Sequence, residues 1–395
     1  MKIAFVSNYI NHHQIPMANV LYRKLEGGYR FIQTEPMEEE RIRQGWNSDT
    51  GNIPYLLVYE KEEEECKKWI AESDIVLFGG CEDESYIKPR LDAGKIVLRY
   101  TERLYREGQW KAVSPRGLWK KYHDHTKYNN APVYLLCAGG YVADDFAIIR
   151  AYKGKRFKWG YFTEFEPFPK EERVAAKKHE ITHIMWAGRF MELKHSMDVL
   201  NALLLLKEKG IPFRMQFVGD GECREEMQAF IREHKMEDMV SLPGFLKPEQ
   251  VREEMKKANI FLFTSDYREG WGAVVNESMN AGCALVVSHA VGSAPFLIEH
   301  EKNGLIYKSR DVKELAACLE KLCTDGEFRE KLGDGAYNTI ESLWNPECAG
   351  SRLLALCEEL LQGKMHFESS GPLSEAKVIK QRKMYEYLIG KKHEK

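Results

Sequence analysis

Short apolar runs alternate with amphipathic stretches along almost the whole chain. In the first half, the runs that favour β-strands are residues 2–7, 29–34, 55–59, 74–78, 95–100 and 132–137. Between them, residues 61–71 and 141–152 have the periodicity of helices. This alternation predicts parallel βαβ units with right-handed crossovers.

The alternation breaks near residue 165, where prolines and then a charged run over residues 170–180 predict a linker. It restarts with predicted strands at 183–187, 213–218, 240–242, 260–264, 284–288 and 305–307. The predicted helices of this half are 197–208, 222–234, 248–257 and 312–322. We therefore predict one α/β domain over residues 1–165, a linker over 166–180 and a second α/β domain over 181–345.

The last fifty residues, 346–395, have a different pattern. Residues 348–361 form one apolar-periodic helix, residues 368–372 form a turn, and residues 375–388 predict a final lysine-rich helix. Two α/β domains in tandem leave a cleft between them. Open α/β sheets bind ligands beyond the carboxyl ends of their strands, so we expect the site at those edges.

Composition narrows the class of protein. A length of 395 residues fits two ordinary domains. With 58 basic and 60 acidic residues the net charge is −2, which argues against a nucleic-acid partner. No apolar run is long enough for a membrane span, and the first six residues are too short for a signal peptide. Nine scattered cysteines favour a cytoplasmic protein without disulfides or structural zinc.

The segment 261–277 is the most informative candidate for a functional site. A buried strand ends in a polar turn, two glycines bracket Trp271, and a helix follows. Glycine lets a backbone approach a ligand closely, and the first N–H groups of a helix suit a phosphate. Glu269 and Glu277 lie eight positions apart, so both can accept hydrogen bonds from one polyhydroxyl ligand. Such a pair alone is weak evidence, because most carboxylates are solvated surface charges.

The stretch from Glu269 to Glu277 resembles the E-x7-E motif of retaining GT-B-fold glycosyltransferases of the family-4 (glycosyl transferases group 1) type, which often build bacterial polysaccharides. Other segments match that family in the expected order. They are 183–190 with Lys194, 216–221, 242–245, 280–286 and 301–305. The resemblance is specific over residues 184–307 and only general in the N-terminal half.

The resemblance implies a GT-B fold, in which two Rossmann-like, doubly wound domains face a central cleft and the last helices cross back to the N-terminal domain. It also implies transfer of a sugar from a nucleotide-diphosphate sugar, with UDP favoured, to an acceptor hydroxyl with retention of configuration. The acceptor would be a carbohydrate or lipid-linked molecule of polysaccharide or glycolipid assembly. The nucleotide sugar would be a co-substrate, with no cofactor and no metal.

The resemblance also assigns roles to residues of the second domain. Glu277 would accept hydrogen bonds from the ribose, and Glu269 would hold the transferred sugar. Arg189 and Lys194 would neutralise the diphosphate, since no metal motif is evident to share its charge. The remaining donor-binding candidates are Gly188, Gly219, Gly244, Phe245, Gly270, Trp271 and Gly272.

The acceptor candidates lie in the first domain. The polar residues after the first strand are Asn8, Asn11, His12 and His13. A histidine there suits the orientation of a phosphate or an acceptor hydroxyl; the alternative is helix capping by Asn11 beside surface histidines. Glu102, after another strand, is the candidate polar group near the reacting carbon.

Two further clusters have competing interpretations. The alternating spacing of His123, Asp124 and His125 does not place all three on one helical face, so we expect a surface cluster rather than a metal site. Residues 110–127 mix tryptophans with lysines and arginine, which suits contact with an anionic membrane. The alternative is a core-facing aromatic pair with solvated lysines.

Two other function classes remain open at this point. One is a nucleotide-sugar epimerase or hydrolase on the same fold, and the other is a non-catalytic sugar-nucleotide-binding protein. A dinucleotide-dependent enzyme fits poorly, because neither half has a complete G-x-G-x-x-G after its first strand.

Overall fold

The computed structural model describes residues 1–37 and 53–390. It divides into two compact units. The N-terminal unit comprises Met1–Glu164 with Leu343–Lys380, and the C-terminal unit comprises Phe165–Ser342 with the chain from Gln381 onward. The final helix therefore does not belong to the same unit as the segment before it.

Both units alternate strands and helices. In chain order, the elements of the first half are β1 (Ile3–Ser7), α1 (Ile15–Lys24), β2 (Tyr29–Gln33), β3 (Leu56–Val58), α2 (Glu63–Glu72), β4 (Ile75–Gly79), α3 (Lys88–Asp92), β5 (Val97–Thr101), α4 (Pro115–Asp124), β6 (Val133–Ala138), α5 (Val142–Ile148) and β7 (Arg156–Trp159). Those of the second half are α6 (Lys170–Ala176), β8 (Thr182–Ala187), α7 (Ser196–Glu208), β9 (Phe213–Val218), α8 (Arg224–Glu233), β10 (Val240–Gly244), α9 (Pro248–Lys257), β11 (Ile260–Phe263), α10 (Val274–Asn280), β12 (Ala284–Ser288), α11 (Ala294–Leu297), β13 (Leu305–Tyr307), α12 (Val312–Thr324), α13 (Gly326–Ser342), α14 (Pro346–Leu361) and α15 (Gln381–Leu388).

The N-terminal unit has a seven-stranded sheet in the order β3-β2-β1-β4-β5-β6-β7, and every pair of neighbours is parallel. The C-terminal unit has a six-stranded parallel sheet in the order β10-β9-β8-β11-β12-β13. The strand order reverses between β1 and β4 in one sheet and between β8 and β11 in the other. This is the doubly wound topology, so the predicted α/β fold with two Rossmann-like domains is confirmed.

The segment predicted as a linker contains helix α6, which packs within the C-terminal unit. Arg173 of α6 is buried, donates to Asp334 at 2.9 Å, and lies 4.0 Å from the ring centre of Tyr337. A charged run is typical of a linker only if its charges are solvated. Here Arg173 contacts both an acidic and an aromatic side chain, so this charged segment packs against the C-terminal unit.

The tail also differs from its prediction. Residues 375–380, predicted as the start of the final helix, are not helical, and residues 373–376 run along edge strand β7. Leu373 donates its N–H to the Lys158 carbonyl and the Lys158 N–H donates to Ser374, both at 2.8 Å. An edge strand exposes unpaired backbone groups, and this extended segment satisfies them.

Strand β7 itself is absent from the prediction, because its alternation of charged and aromatic residues over only four positions does not stand out from loop sequence. Among the helices of the described residues, none has the length and apolar character needed to cross a membrane. The nine cysteines are all free thiols.

A buried charge pair holds the loop after β5 against α5. Arg103 donates to both carboxylate oxygens of Asp145 at 3.1 and 3.2 Å, and both side chains are essentially inaccessible to solvent. Asp145 also accepts the Tyr105 N–H at 3.2 Å and the Gln109 amide at 3.0 Å. Removing one partner of such a pair leaves an uncompensated buried charge.

We therefore expect Asp145→Ala to lower the free energy of unfolding by about 3–5 kcal/mol in urea titrations. Glu107→Ala, which removes an exposed ion pair with Lys111, is the control and should cost less than about 1 kcal/mol. Equal losses in the two variants would contradict this account of the Arg103–Asp145 pair.

Candidate functional site

The predicted donor residues lie in the C-terminal unit, and most of them are in loops at the carboxyl ends of its strands. Arg189 and Lys194 follow β8, Gly219 follows β9, Phe245 follows β10, and Glu269 follows β11. Strands β8 and β11 are the neighbours between which the sheet order reverses. Open α/β sheets bind ligands at this switch point, so the fold alone makes this edge the first place to look for a site.

The loops after β8, β9 and β10 are in backbone contact. The Gly219 N–H donates to the Gly244 carbonyl at 2.9 Å, and the Gly188 N–H donates to Val218 at 3.0 Å. Gly219 has φ +136°, and a Cβ at this position would meet the Gly188 carbonyl oxygen at 1.9 Å. The three predicted glycines are therefore brought together, and at least Gly219 is required for close packing of the loops.

Lys194 and Glu269 form an ion pair across the switch point. Both side chains are largely buried, with 16% and 17% of their surface exposed. The Lys194 ammonium also lies 5.0 Å from the ring centre of Phe263, the last residue of β11. A cation and an anion are thus fixed side by side at the sheet edge, where one can meet a phosphate and the other a hydroxyl.

Arg189 is not joined to this pair. Its side chain is exposed, and it has no ion pair or hydrogen bond to any residue in the described ranges 1–37 and 53–390. Of the two cations predicted to neutralise a diphosphate, the fold fixes Lys194 and leaves Arg189 extended into solvent.

The turn that follows Glu269 is fixed from two sides. A Cβ at Gly292 would lie 1.6 Å from the Gly270 carbonyl oxygen, so the loop after β12 packs directly on this turn. The Ser293 N–H donates to the Trp271 carbonyl at 3.1 Å. The Trp271 side chain is buried and donates its indole N–H to Asn276 at 2.8 Å. Trp271 is therefore an anchor of the turn, and only its backbone can serve a ligand.

Glu277 lies on α10 and has an unusual protonation equilibrium. Burial raises the pKa of its carboxyl to about 7, while the Arg252 guanidinium opposes the shift and Glu166 adds to it. Glu166 is itself paired with Arg252 at 3.3 Å and Lys256 at 3.0 Å. Glu277 therefore changes charge near neutral pH, which is a feature typical of binding and catalytic carboxylates.

Phe245, predicted to contact the base, is 54% exposed at the end of β10. An exposed aromatic ring of this kind is available for stacking against a planar ligand. Its neighbour Gly244 is buried and has φ +88°, a left-handed conformation that suits glycine.

In the N-terminal unit, Glu102 is held by two neighbours. Its carboxylate accepts the Tyr161 hydroxyl at 2.7 Å and pairs with Arg106. The Tyr161 ring is stacked with His13 at 6.1 Å between ring centres. Glu102 and His13, two of the predicted site residues, are thus linked through Tyr161. Sequence reasoning missed Tyr161 because it follows a strand that the prediction lacked.

The other N-terminal candidates are engaged in local structure. The Asn11 side chain accepts the His13 N–H at 2.9 Å, and its carbonyl accepts the Gln14 and Ile15 N–H groups at the start of α1. The capping alternative for Asn11 does not hold, because Gln14 is the N-cap residue of α1 and no side chain caps the helix. The backbone carbonyl of Asn8 accepts two N–H groups beyond β2, and the ring centres of His12 and His13 lie 3.8 Å apart.

The expectation of a surface cluster at residues 123–125 is wrong for His125. This side chain is buried, with its Nδ1 3.0 Å from the Tyr152 hydroxyl and its ring edge-on to Phe146. Burial and the nearby Arg99 hold the pKa of His125 well below its usual range. The residue ends α4, and the chain turns inward there. Among the described residues, no group of three or more His, Cys, Asp or Glu is arranged to hold a metal.

The prediction also missed His195 and Asp266, which lie in the same two loops as Lys194 and Glu269. Asp266 accepts from His195 Nε2 at 3.1 Å and from Arg268 at 2.8 Å. Burial alone would raise the pKa of the Asp266 carboxyl, but these hydrogen bonds outweigh it and lower the pKa. Both residues are sequence neighbours of predicted site residues, and only adjacency could have drawn attention to them.

The raised pKa of Glu277 has a consequence for stability. The folded protein keeps a proton on this carboxyl up to about pH 7, whereas the unfolded chain loses it near the ordinary glutamate pKa of 4.5. The stabilisation is complete below the unfolded pKa and is lost as the pH rises through the folded pKa. Glu277→Gln should therefore be more stable than the parent above pH 7, by about 3 kcal/mol, with the difference fading toward pH 4.

Unfolding free energies measured across this pH range test that expectation. Glu233→Gln, on the exposed face of α8, is the matched control and should show no such pH-dependent difference. A stability difference for Glu277→Gln that stays constant with pH would mean that this carboxyl titrates normally.

Part of the chain is similar in sequence to a known protein family. Residues 168–339 match the family model described as "Glycosyl transferases group 1". WcaL of Escherichia coli K12, a protein assigned to colanic acid biosynthesis as a glycosyltransferase, is 30% identical over 171 residues, 41% of either chain. The amylovoran biosynthesis glycosyltransferase AmsK of Erwinia amylovora is 28% identical over 187 residues, 46% of either chain. The chain thus spans less than half the length of these curated relatives.

Solved structures extend the likeness to both units. HepE of Anabaena, crystallised with UDP, superposes with a TM-score of 0.66 at 13% identity, over 90% of this chain and 99% of HepE. A glycosyltransferase from Rickettsia africae gives 0.64 at 13% identity, over 92% and 99%. Residues 168–339 are therefore similar to the glycosyl transferases group 1 domain, and the chain as a whole has the GT-B fold.

Proposed function

We propose that this protein is a glycosyltransferase that moves a sugar from a nucleotide-diphosphate sugar, with UDP favoured, to an acceptor hydroxyl. The observation that carries the proposal is the Lys194–Glu269 pair, which joins the two loops at the switch point of the C-terminal sheet. That pair lies within the segment that matches the family model. The family match and the pair are independent of each other, since one rests on sequence and the other on geometry.

The chemical difficulty in such a transfer is the leaving group, which departs as a nucleoside diphosphate with growing negative charge. A fixed cation stabilises that charge without reorganising at the moment of reaction. Lys194 is fixed in this way, and the exposed Arg189 can close on the phosphates as a second cation. The N–H groups of Gly270 and Gly272, in the turn before α10, are candidates to donate to the β-phosphate or the sugar.

Glu269 and Glu277 divide the hydroxyl contacts between them in this proposal. Glu269, next to Lys194, holds the transferred sugar, while Glu277 accepts both ribose hydroxyls. The ionised carboxylate can accept one of these hydrogen bonds on each oxygen, whereas the acid form carries a proton on one of them. Nucleotide binding should therefore favour ionised Glu277 and strengthen as the pH rises through about 7. The base then lies toward Gly244 and the exposed ring of Phe245.

For the chemical step we propose retention by same-face attack. The acceptor oxygen forms a bond to the anomeric carbon as the bond from that carbon to the phosphate oxygen breaks, and the acceptor proton passes to the leaving phosphate. The enzyme supplies orientation and charge stabilisation, without a metal. Glu102, which accepts the hydroxyl of Tyr161, is the candidate group for an acceptor hydroxyl, and the Tyr161 ring stacks with His13.

The biological setting of the proposal comes from the relatives. WcaL and AmsK are assigned to the biosynthesis of colanic acid and amylovoran, and HepE was crystallised with UDP. We propose a carbohydrate or lipid-linked acceptor on the cytoplasmic side of a membrane.

One surface of the N-terminal unit supports a membrane setting. Helix α4 has no buried residue, and its apolar side chains Leu118, Trp119 and Tyr122 point to solvent. Just before it, Trp110 is 70% and Val113 is 79% exposed. The alternative of a core-facing aromatic pair does not fit these exposures.

Basic side chains flank this apolar surface. Lys111, Arg116 and Lys120 are exposed on the same segment, and the Lys111 ammonium lies 5.7 Å from the ring centre of Trp110. Aromatic side chains at headgroup depth with cations around them match an anionic lipid surface, to which each lysine contributes about 1 kcal/mol. We propose that α4 and the preceding turn dock on such a membrane.

Binding of UDP tests the donor site. UDP should raise the melting temperature of the parent protein, and Lys194→Ala should weaken UDP binding on the order of 10- to 100-fold, as expected for a hydrogen bond to a charged group. Lys209→Ala is the matched control, because Lys209 is also paired with a glutamate but lies at the end of α7. Calorimetric titration with UDP measures all three proteins.

The nature of the reaction is decided by its products. Incubation with a panel of UDP-sugars and carbohydrate acceptors should give a glycoside with the donor's anomeric configuration, which NMR spectroscopy can assign. An inverted product would contradict retention. Free sugar or an epimer formed without any acceptor would favour the hydrolase or epimerase alternative, and nucleotide binding without turnover would favour a binding protein.

Vesicle flotation tests the membrane surface. At low salt the protein should float with vesicles of phosphatidylglycerol and phosphatidylethanolamine but not with phosphatidylcholine alone. The double substitution Trp110→Ala and Trp119→Ala should abolish flotation, whereas Tyr387→Ala, at another exposed aromatic residue, should leave it unchanged. A parent protein that fails to float with anionic vesicles would end this part of the proposal.

A further inference from the structure

His195 follows Lys194 directly and has an unusual backbone. It lies between a short 3-10 turn, Glu192–Lys194, and the start of α7, with φ +52° and ψ +42°. This left-handed conformation is strained for a residue with a side chain, and glycine would adopt it more readily. A strained residue persists only where surrounding contacts stabilise it, and such residues cluster at functional sites.

Both ring nitrogens of His195 have partners. Nε2 lies 3.1 Å from an Asp266 carboxylate oxygen, and Nδ1 contacts the Arg310 guanidinium. A guanidinium can only donate, so Nδ1 must accept. The proton of the neutral ring is therefore on Nε2, where it donates to Asp266, and the two partners together fix both the tautomer and the ring orientation.

The backbone on either side of Lys194 is tied to the same turn. The Asp266 N–H donates to the Leu193 carbonyl at 3.0 Å, and the Thr264 hydroxyl donates to the Lys194 carbonyl at 2.6 Å. Thr264 is in turn oriented by the indole N–H of Trp186 at 3.1 Å. The His195–Asp266 contact completes a set of three hydrogen bonds between this turn and three consecutive residues.

We propose that His195 is a positioning residue: its ring, held between Asp266 and Arg310, fixes the loop after β8 so that the Lys194 ammonium stays beside Glu269. The value of that position rests on the proposed function, in which Lys194 meets the donor phosphates. The contact between Lys194 and Glu269, however, belongs to the free protein and can be followed without any ligand.

The charged groups around the ring support this role over a simple helix cap. Asp266 is already paired with Arg268, and Arg310 lies 3.5 Å from Asp198. Asp266 and Arg310 therefore each have another charged partner besides His195. His195 makes no side-chain hydrogen bond to the N–H groups that open α7, so it does not cap that helix.

Three substitutions separate the two contacts of the ring. His195→Gly removes both while relieving the backbone, His195→Gln keeps a donor in reach of Asp266, and His195→Asn keeps an acceptor toward Arg310 and tolerates the left-handed conformation. Urea unfolding of each variant checks that the fold is intact. Relief of the backbone makes His195→Gly the variant least expected to unfold.

The first measurement needs no ligand. Brief acetylation followed by peptide mass spectrometry gives the reactivity of Lys194, which is low while the ammonium is paired and largely buried. We expect His195→Gly to raise the labelling rate of Lys194 severalfold, with His195→Gln closer to the parent. The exposed Lys321 should be unchanged in every variant. Unaltered protection of Lys194 in His195→Gly would overturn the inference.

The second measurement uses UDP. His195→Gly should weaken UDP binding several- to tenfold in the parent background and not at all in a Lys194→Ala background, because His195 acts through Lys194. An equal loss in both backgrounds would overturn the inference while leaving the proposed function intact. If Lys194→Ala itself leaves UDP affinity unchanged, the proposed donor site fails, and the labelling result still decides whether His195 positions Lys194.

Discussion

The attachment of the loop after β8 to the turn after β11 is the constraint on which the C-terminal site depends. Lys194 has a flexible side chain whose ordering carries an entropic cost, so a fixed ammonium requires a fixed backbone. Thr264 and Asp266 supply that backbone through hydrogen bonds to Leu193 and Lys194, and the sheet holds both loops at adjacent strand ends. The ion pair with Glu269 is then a consequence of loop geometry rather than a chance surface contact.

This arrangement is suited to a ligand that is anionic at one end and hydroxylated at the other. A partly buried cation and anion screen each other in the free protein, so neither stands as an uncompensated charge. When a phosphate approaches, the ammonium can share its donors between Glu269 and the ligand, because it carries three. The pair thereby keeps the empty site stable and keeps both groups in place for binding.

The backbone around the site is also closely packed. Gly219 and Gly292 occupy positions where a side chain would collide with neighbouring carbonyl groups, and Trp271 fills the space beneath the turn it belongs to. These residues lie next to the groups proposed to bind the ligand, but their own role is to let four loops meet at one sheet edge. In the N-terminal unit, the buried Arg103–Asp145 pair performs the corresponding task for the loop after β5, next to Glu102.

The sequence by itself determined the α/β class and twelve of the thirteen strands found in the described residues, because the periodicity of apolar residues is a local property. It also predicted candidate site residues at strand ends, because a glycine-rich turn is a local feature as well. It could not find β7 or the segment that pairs with it, since backbone pairing between residues 158 and 373 has no local pattern. It missed His195 and Asp266 for the same reason, because a hydrogen bond between residues 71 positions apart leaves no pattern in the sequence. Only the tertiary structure decided that Lys194 is fixed while Arg189 is exposed, that His125 is buried, and that the charged run near residue 173 belongs to a folded domain. Side-chain partners are set by which strand ends the topology brings together, and that is a property of the whole sheet.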